Sequence, residues 1–232
     1  MSSLRPRLRG DDSSTEFDSV LRELKRDGCH LLVTGEVDRH VSGRATRRLL
    51  GNPHCDRKRV LAFTDATADD VGHCLPVDVD RSDPDVWVVD PNGSQRSVPA
   101  DAADVELPVD DADGSELSRL RQELVQAVGF FDDVHSGLGP AELRVGVASV
   151  AHLLDANDRA AVERFLRAIG ALVRGVDGMG HVRVSLPDDH PTVADLSPLF
   201  DARIELRKRE GLVPEQRWHV PSHDITSGWT KL

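Results

Sequence analysis

The chain has 232 residues, with 40 acidic against 29 basic side chains and a formal charge of −11. That balance argues against nonspecific nucleic-acid binding, which runs on basic charge and fades with salt. The three cysteines, Cys29, Cys55 and Cys74, lie too far apart for a disulfide framework and point to a reducing compartment.

Residues 1–14, rich in Arg, Ser and Asp, read as a flexible tail ahead of one domain over 15–232. Ser13 to Glu16 has capping-box spacing, and Phe17, Val20, Leu21 and Leu24 follow at helical spacing until Gly28. Leu31 to Val33 is too short for a helix and reads as a buried strand ending at Thr34-Gly35. Ala45 to Leu50 predicts a helix closed by Gly51. Arg59 to Thr64 and Asp85 to Asp90 predict two more strands, the second stopped by Pro91-Asn92-Gly93. Such Val-rich runs suit parallel strands covered on both faces.

Residues 94–114 are acidic and aperiodic, an expected surface loop. Leu117, Leu120, Leu124, Val128 and Phe131 mark a long helix, Leu143 to Val150 a fourth strand, and Val162 to Val176 an amphipathic helix. After the turn at Gly178-Met179-Gly180, His181 to Leu186 predicts a strand and Val193 to Leu199 a short helix. Ala202 to Arg207 alternates apolar and charged residues. A turn at Gly211 to Pro214 then leads into Gln216 to Val220, giving a hairpin with one wet face. The whole predicts an α/β fold. A mainly parallel sheet is flanked by helices, holds Leu31, Val60 and Val145 in its interior and closes with an antiparallel hairpin.

No apolar run nears the roughly 18–20 residues needed to span a membrane. The basic start has no apolar stretch behind it, so a cytoplasmic location is expected.

In open α/β sheets ligands bind beyond the carboxyl ends of the strands. A phosphate loop there needs Gly, four residues, Gly, Lys, then Ser or Thr. This chain reads Gly35-Glu36-Val37-Asp38-Arg39-His40-Val41-Ser42. The first Gly and final Ser stand in place, but His40 replaces the second Gly and Val41 the Lys. Glu36 and Asp38 would repel a triphosphate, so the simplest expectation is a strand-to-helix turn with Ser42 as N-cap. The fourth strand ends at Ala148-Ser149, where a magnesium-organising Asp would stand in an ATPase.

The strand order, the degenerate loop at Gly35, the Ala148-Ser149 ending and the closing hairpin resemble the RecA/KaiC-like ATPase fold. More closely, the chain resembles an uncharacterised haloarchaeal family of shortened KaiC-like proteins. The resemblance lies in Val33-Thr34-Gly35-Glu36-Val37, Arg47-Arg48-Leu49-Leu50-Gly51, Gly178-Met179-Gly180-His181, Leu199 to Leu206, and Trp218-His219 to Trp229. It implies a nucleotide site at Gly35 to Ser42, while His40, Val41 and Ala148 oppose hydrolysis. The expectation is a non-catalytic regulatory or signalling module, without a cofactor, that works through a protein partner or a second copy. The alternatives are an ATP/Mg-binding switch using Arg39 or Arg44 in place of Lys, and a DNA-associated regulator.

Arg44, Arg47 and Arg48 share a helix face and, with Arg39, form the best basic patch, an anion or partner surface if it is not paired with nearby acids. His54-Cys55, His73-Cys74 and the pair His219/His223 lack the spacing of a metal site. Asp188-Asp189 and similar pairs read as acidic surface. Of the acids 29 are Asp, whereas only 4 bases are Lys, a balance that suits hydration at high salt. Molar salt shortens the Debye length to about 3 Å and screens self-repulsion. The melting temperature should therefore rise between dilute buffer and molar KCl; a salt-independent melt contradicts this reading.

Overall fold

The computed structural model describes residues 10–64, 70–90, 97–102 and 115–232. The expected stop at Pro91-Asn92-Gly93, most of the acidic 94–114 loop and the first nine residues lie outside them. In the first half the elements are α1 (Gly10–Arg26), β1 (Cys29–Thr34), α2 (Arg39–Leu49), β2 (Lys58–Ala62), α3 (Asp70–Cys74) and β3 (Val86–Val89). After them come α4 (Glu116–Val134), β4 (Leu143–Val147), α5 (Ala151–Ala156), α6 (Arg159–Gly175), β5 (Met179–Arg183) and α7 (Pro191–Leu196). Strands β6 (Ala202–Arg207), β7 (Glu215–Val220), β8 (Ile225–Thr226) and β9 (Thr230–Lys231) close the chain.

Among the described residues the nine strands form one sheet in the order β3-β2-β4-β5-β1-β6-β7-β8, with β9 also on β7. The strands from β3 to β6 are parallel, and β7 turns back on β6 with Ile204 opposite Trp218. Leu31, Val60 and Val145 lie on interior strands, as the sequence predicts. Their burial on both faces explains the unbroken apolar runs in β1, β2 and β3.

Helices cover both faces. Leu120, Leu124, Phe131, Leu166 and Ile169 of α4 and α6 pack with Leu32, Val60 and Val182 on one side. On the other, Val20 and Leu24 of α1 and Val41 and Ala45 of α2 pack with Leu31, Val33 and Ile204. Leu61, Val86 and Val88 meet Val71 and Leu75 in and after α3 on that same side.

Several boundaries differ from expectation. Helix α1 begins at Gly10, ahead of the Ser13 cap and inside the segment read as tail. Strand β5 begins at Met179 rather than after Gly180, because Gly180 sits mid-ladder between Val145 and His30. Ser97, in the predicted loop, pairs back onto Val88 at the sheet edge.

Two buried imidazoles mark the interior. A Cβ on Gly170 of α6 would come within 2.8 Å of His30 Nδ1, and one on Gly146 within 2.8 Å of His181 Cε1. Each ring thus fills a hole that glycine leaves in the neighbouring element. Burial first, then Arg174 for His30 and Arg144 for His181, lowers both pKa values from 6.5 to about 3. The unfolded chain therefore binds more protons below pH 6.5, and stability falls as the pH drops from there toward 3. A His30→Leu/His181→Leu double variant should lose melting temperature less steeply over that window than the parent. Equal slopes would refute the assignment.

Candidate functional site

The sheet changes winding direction at β1. The chain leaves β1 for α2 on one face, while neighbouring β5 leads to α7 on the other. Ligand crevices form at such switch points in α/β sheets. The loop from Gly35 to Asp38 occupies this one.

The chain fills that crevice with its own groups. Asp38, extended at φ −64° and ψ 160°, caps α2, and its Oδ1 accepts the N–H of His40 and of Val41, each at 3.0 Å. Its other oxygen takes Lys208 Nζ at 2.6 Å, from the segment after β6. The Lys208 bond, then the Val41 N–H, holds the Asp38 carboxyl below its usual range. A carboxylate at a helix N-terminus satisfies both the orphan donors and the macrodipole, which are the features that attract phosphate. Gly35 N–H donates to Leu186 O, Val37 N–H to Gly35 O, and Ser42 N–H to Asp38 O. Five amides of the stretch are thus bonded within the chain.

The residues predicted for this site have other duties. Gly35 has φ +117°, and a Cβ there would stand 2.3 Å from Leu206 O, so glycine serves the hairpin's close approach. Val41, at the Lys position, is a core residue packed with Val20 and Ala45. Glu36 and His40 are exposed. The N-cap is Asp38, not the predicted Ser42, because the helix starts one turn earlier. Ser42 is buried, and its hydroxyl donates to Arg39 O at 3.1 Å and accepts Arg183 Nη1 at 2.7 Å.

Ala148 and Ser149 do lie at the same carboxyl end, two strands away. Thr64 Oγ1 donates to Ser149 O at 2.8 Å, and Val150 N–H donates to Arg183 O at 3.0 Å. Arg183 thereby links the end of β4 to Ser42, a contact between residues far apart in sequence.

Beside the loop lies a network the sequence reading missed. Asp188, read as acidic surface, accepts Thr34 Oγ1 at 2.7 Å and forms an ion pair with Arg203, whose Nε stands 2.9 Å away. Glu205 accepts Arg217 Nε at 2.9 Å and lies 3.0 Å from His219 Nε2. Burial raises the Glu205 pKa, but bonds from Arg217 and His219 outweigh it and hold the group below its ordinary value. Ligand atoms of Asp188, Glu205 and His219 lie within 4.8 Å of one another, a donor set that could hold a metal. Arg203 and Arg217 already neutralise both carboxylates and would repel a cation, so the cluster works as a polar brace. His223 does not join it and sits 3.5 Å from Glu23. The readable signal was charge alternation across the hairpin, Arg203, Glu205 and Arg207 against Glu215, Arg217 and His219.

Three of the four arginines of the basic run come together. Arg44, Arg47 and Arg48, with His40 and His73, line a cleft of about 750 Å³, whereas Arg39 does not. The expected acid partners are replaced by carbonyls: Arg47 Nη2 reaches His73 O at 2.9 Å and Arg48 Nη1 reaches Lys231 O at 3.1 Å.

No curated protein matches the chain. Residues 28–206, from the turn before β1 to β6, match the family of unknown function DUF7504. That match takes in the capped loop, β4 and the Arg cleft helix, and the chain belongs to the DUF7504 family.

Proposed function

We propose that this chain is a non-catalytic module of RecA/KaiC-like descent that acts in regulation or signalling through protein contacts. The observation that carries the reading is Asp38, whose carboxylate occupies the helix N-terminal donors a nucleotide phosphate would need. The block of parallel strands with β1 between β5 and β6, and the antiparallel hairpin beyond it, support the descent. Adjacent Leu212 and Val213, about half exposed at the hairpin turn, support contact with a protein partner.

γ-Phosphoryl transfer needs charge neutralised as it spreads over the phosphate oxygens, mainly by Lys and magnesium. Val41 and Ala148 supply neither. A Lys at 41 would enter a packed core, so Val41→Lys alone should destabilise the fold without restoring turnover.

The second reading, a nucleotide switch with a nonstandard site, is favoured by two cations that reach the loop. They are Lys208 and Arg183 rather than the Arg39 or Arg44 expected from sequence. In that switch a phosphate would displace Asp38 from the helix end.

Two measurements separate these readings. The purified protein should show no ATPase activity above background and no melting shift with Mg-ATP. Occupancy at 100 times the dissociation constant would add about 2.7 kcal/mol of stability, an easily seen shift. Turnover that Ser42→Ala abolishes would overturn the proposal. Independently, Asp38→Ala should cost about 1 kcal/mol through the lost cap, with Asp38→Asn recovering most of it. Unchanged stability in Asp38→Ala would remove the capping argument.

A further inference from the structure

Three basic side chains enter neighbouring positions of β2 and β4, and their balance differs. Lys58 is buried with Nζ 2.9 Å from Asp56 and 2.8 Å from Asp85. Buried Arg59 spreads its guanidinium over the carbonyls of Leu50, Asn52 and Arg57. Arg144, opposite Arg59 and only 6% exposed, reaches the Met179 sulfur at 2.6 Å and the Leu49 carbonyl at 3.4 Å. Its Nε has no partner among the described residues. Burial, then repulsion from Arg57, lowers its pKa from 12.5 to about 10. No carboxylate pairs with this guanidinium among the described residues, and a buried charge left without a counterion is costly.

Arg144 lines a cavity of about 510 Å³ between α1 and α2, on the face of the sheet those helices cover. Lys25, Arg48 and Arg57 line it too, and among its described lining residues none is Asp or Glu. Its apolar wall includes Phe17, Leu21, Leu49 and Trp218. The cations converge. A Cβ on Gly51, at φ +88°, would stand 3.7 Å from Arg57 Nε and 3.8 Å from Arg144 Nε. Glycine leaves open the spot that both guanidinium groups face.

We propose that this cavity binds a small organic oxyanion, a carboxylate or phosphate monoester carried on an aromatic or alkyl body. The charge sits between Arg57 and Arg144, whose planar donors suit both groups. The body lies against Phe17, Leu21 and Trp218. Concave, mainly apolar walls with a few convergent polar groups are the usual anatomy of such sites. The site begins at the amino end of β5, where Met179 stands opposite Cys29, about 17 Å along β1 from Thr34. It is therefore independent of the capped loop and of any nucleotide bound there.

The test is calorimetric titration of the purified chain with 1-naphthyl phosphate and with octanoate, at one fixed KCl concentration, alongside thermal melts. Saturable binding of one equivalent and a higher melting temperature are expected, with no binding of neutral 1-naphthol. Arg57→Ala and Arg144→Met should each weaken binding at least tenfold. Arg44→Ala, which lines only the adjoining cleft, should bind like the parent. Without ligand, Arg144→Met should melt at or above the parent, because it removes an unbalanced buried charge; a structural arginine would show the opposite. If Arg144→Met fails to fold, its charge is already balanced and the proposal falls. Absence of saturable binding to both probes, or parent-like affinity in Arg57→Ala, also overturns it.

Discussion

A single carboxylate organises the carboxyl end of this sheet. Asp38 starts α2, closes the donors of the loop after β1 and draws in Lys208 from beyond β6. The two stretches it joins lie 170 residues apart in sequence. The Lys208 contact lies on an exposed pair and is worth little by itself. The two amide bonds do more, since they fix where the helix begins and satisfy two of its first donors. With Asp38 as cap, Val41 and Ala45 fall on the core side, while Arg44 and Arg48 point outward. Beginning the helix at Ser42 would give the same face pattern no N-terminal turn to stand on.

Around that cap the polar groups a catalytic loop would aim at a ligand are aimed at one another. Arg183 stands where β5 ends and bonds Ser42; Asp188 follows and bonds Thr34 at the end of β1. Both are half-buried, so their charges and hydrogen bonds count for more than at the surface. Trp229 adds a lid of another kind. The Arg207 guanidinium lies 3.6 Å and that of Arg217 4.6 Å from its ring centroid, which fastens β9's approach to the hairpin. The contacts of Arg183 and Asp188 tie the ends of β1 and β5 to the start of α2 across the switch-point crevice.

The fold was largely legible because its signal is periodic. Unbroken runs in β1, β2 and β3 and the 3.6-residue repeat of α4 and α6 each report burial directly. The alternation of β6 and β7 matches their one buried face, with Ala202, Ile204 and Leu206 inside and Arg203, Glu205 and Arg207 only half-buried. The loop was legible only as a departure from a motif: His40 and Val41 stand where a phosphate loop has Gly and Lys, but they do not say what fills the helix end instead. Asp38 was visible as a charge that would repel a triphosphate, yet its role as cap depends on a helix start that Gly43 and the polar run around it conceal. Gly43 is required because a Cβ there would stand 2.9 Å from His73 O, where α2 meets α3. Contacts across more than a hundred residues, Arg183 to Ser42 or Thr34 to Asp188, leave no local pattern at all.

The same limit explains Arg144. In sequence it interrupts an apolar strand, Leu143-Arg144-Val145-Gly146-Val147, with nothing to show its surroundings. The chain as a whole has acids to spare, 40 against 29 bases. Nearby, Lys58 draws on that surplus twice, and most described arginines of the hairpin face a carboxylate. A cavity lined by four cations and walled in apolar side chains, in so acidic a protein, is therefore not explained by a shortage of counterions. It is a place from which carboxylates are kept out, whereas the crevice at the other end of β1 is one into which a carboxylate has been built. The two sites make opposite use of the same electrostatics. At Asp38 the protein sets its own anion on the helix donors; between Arg57 and Arg144 it leaves the anion's position open.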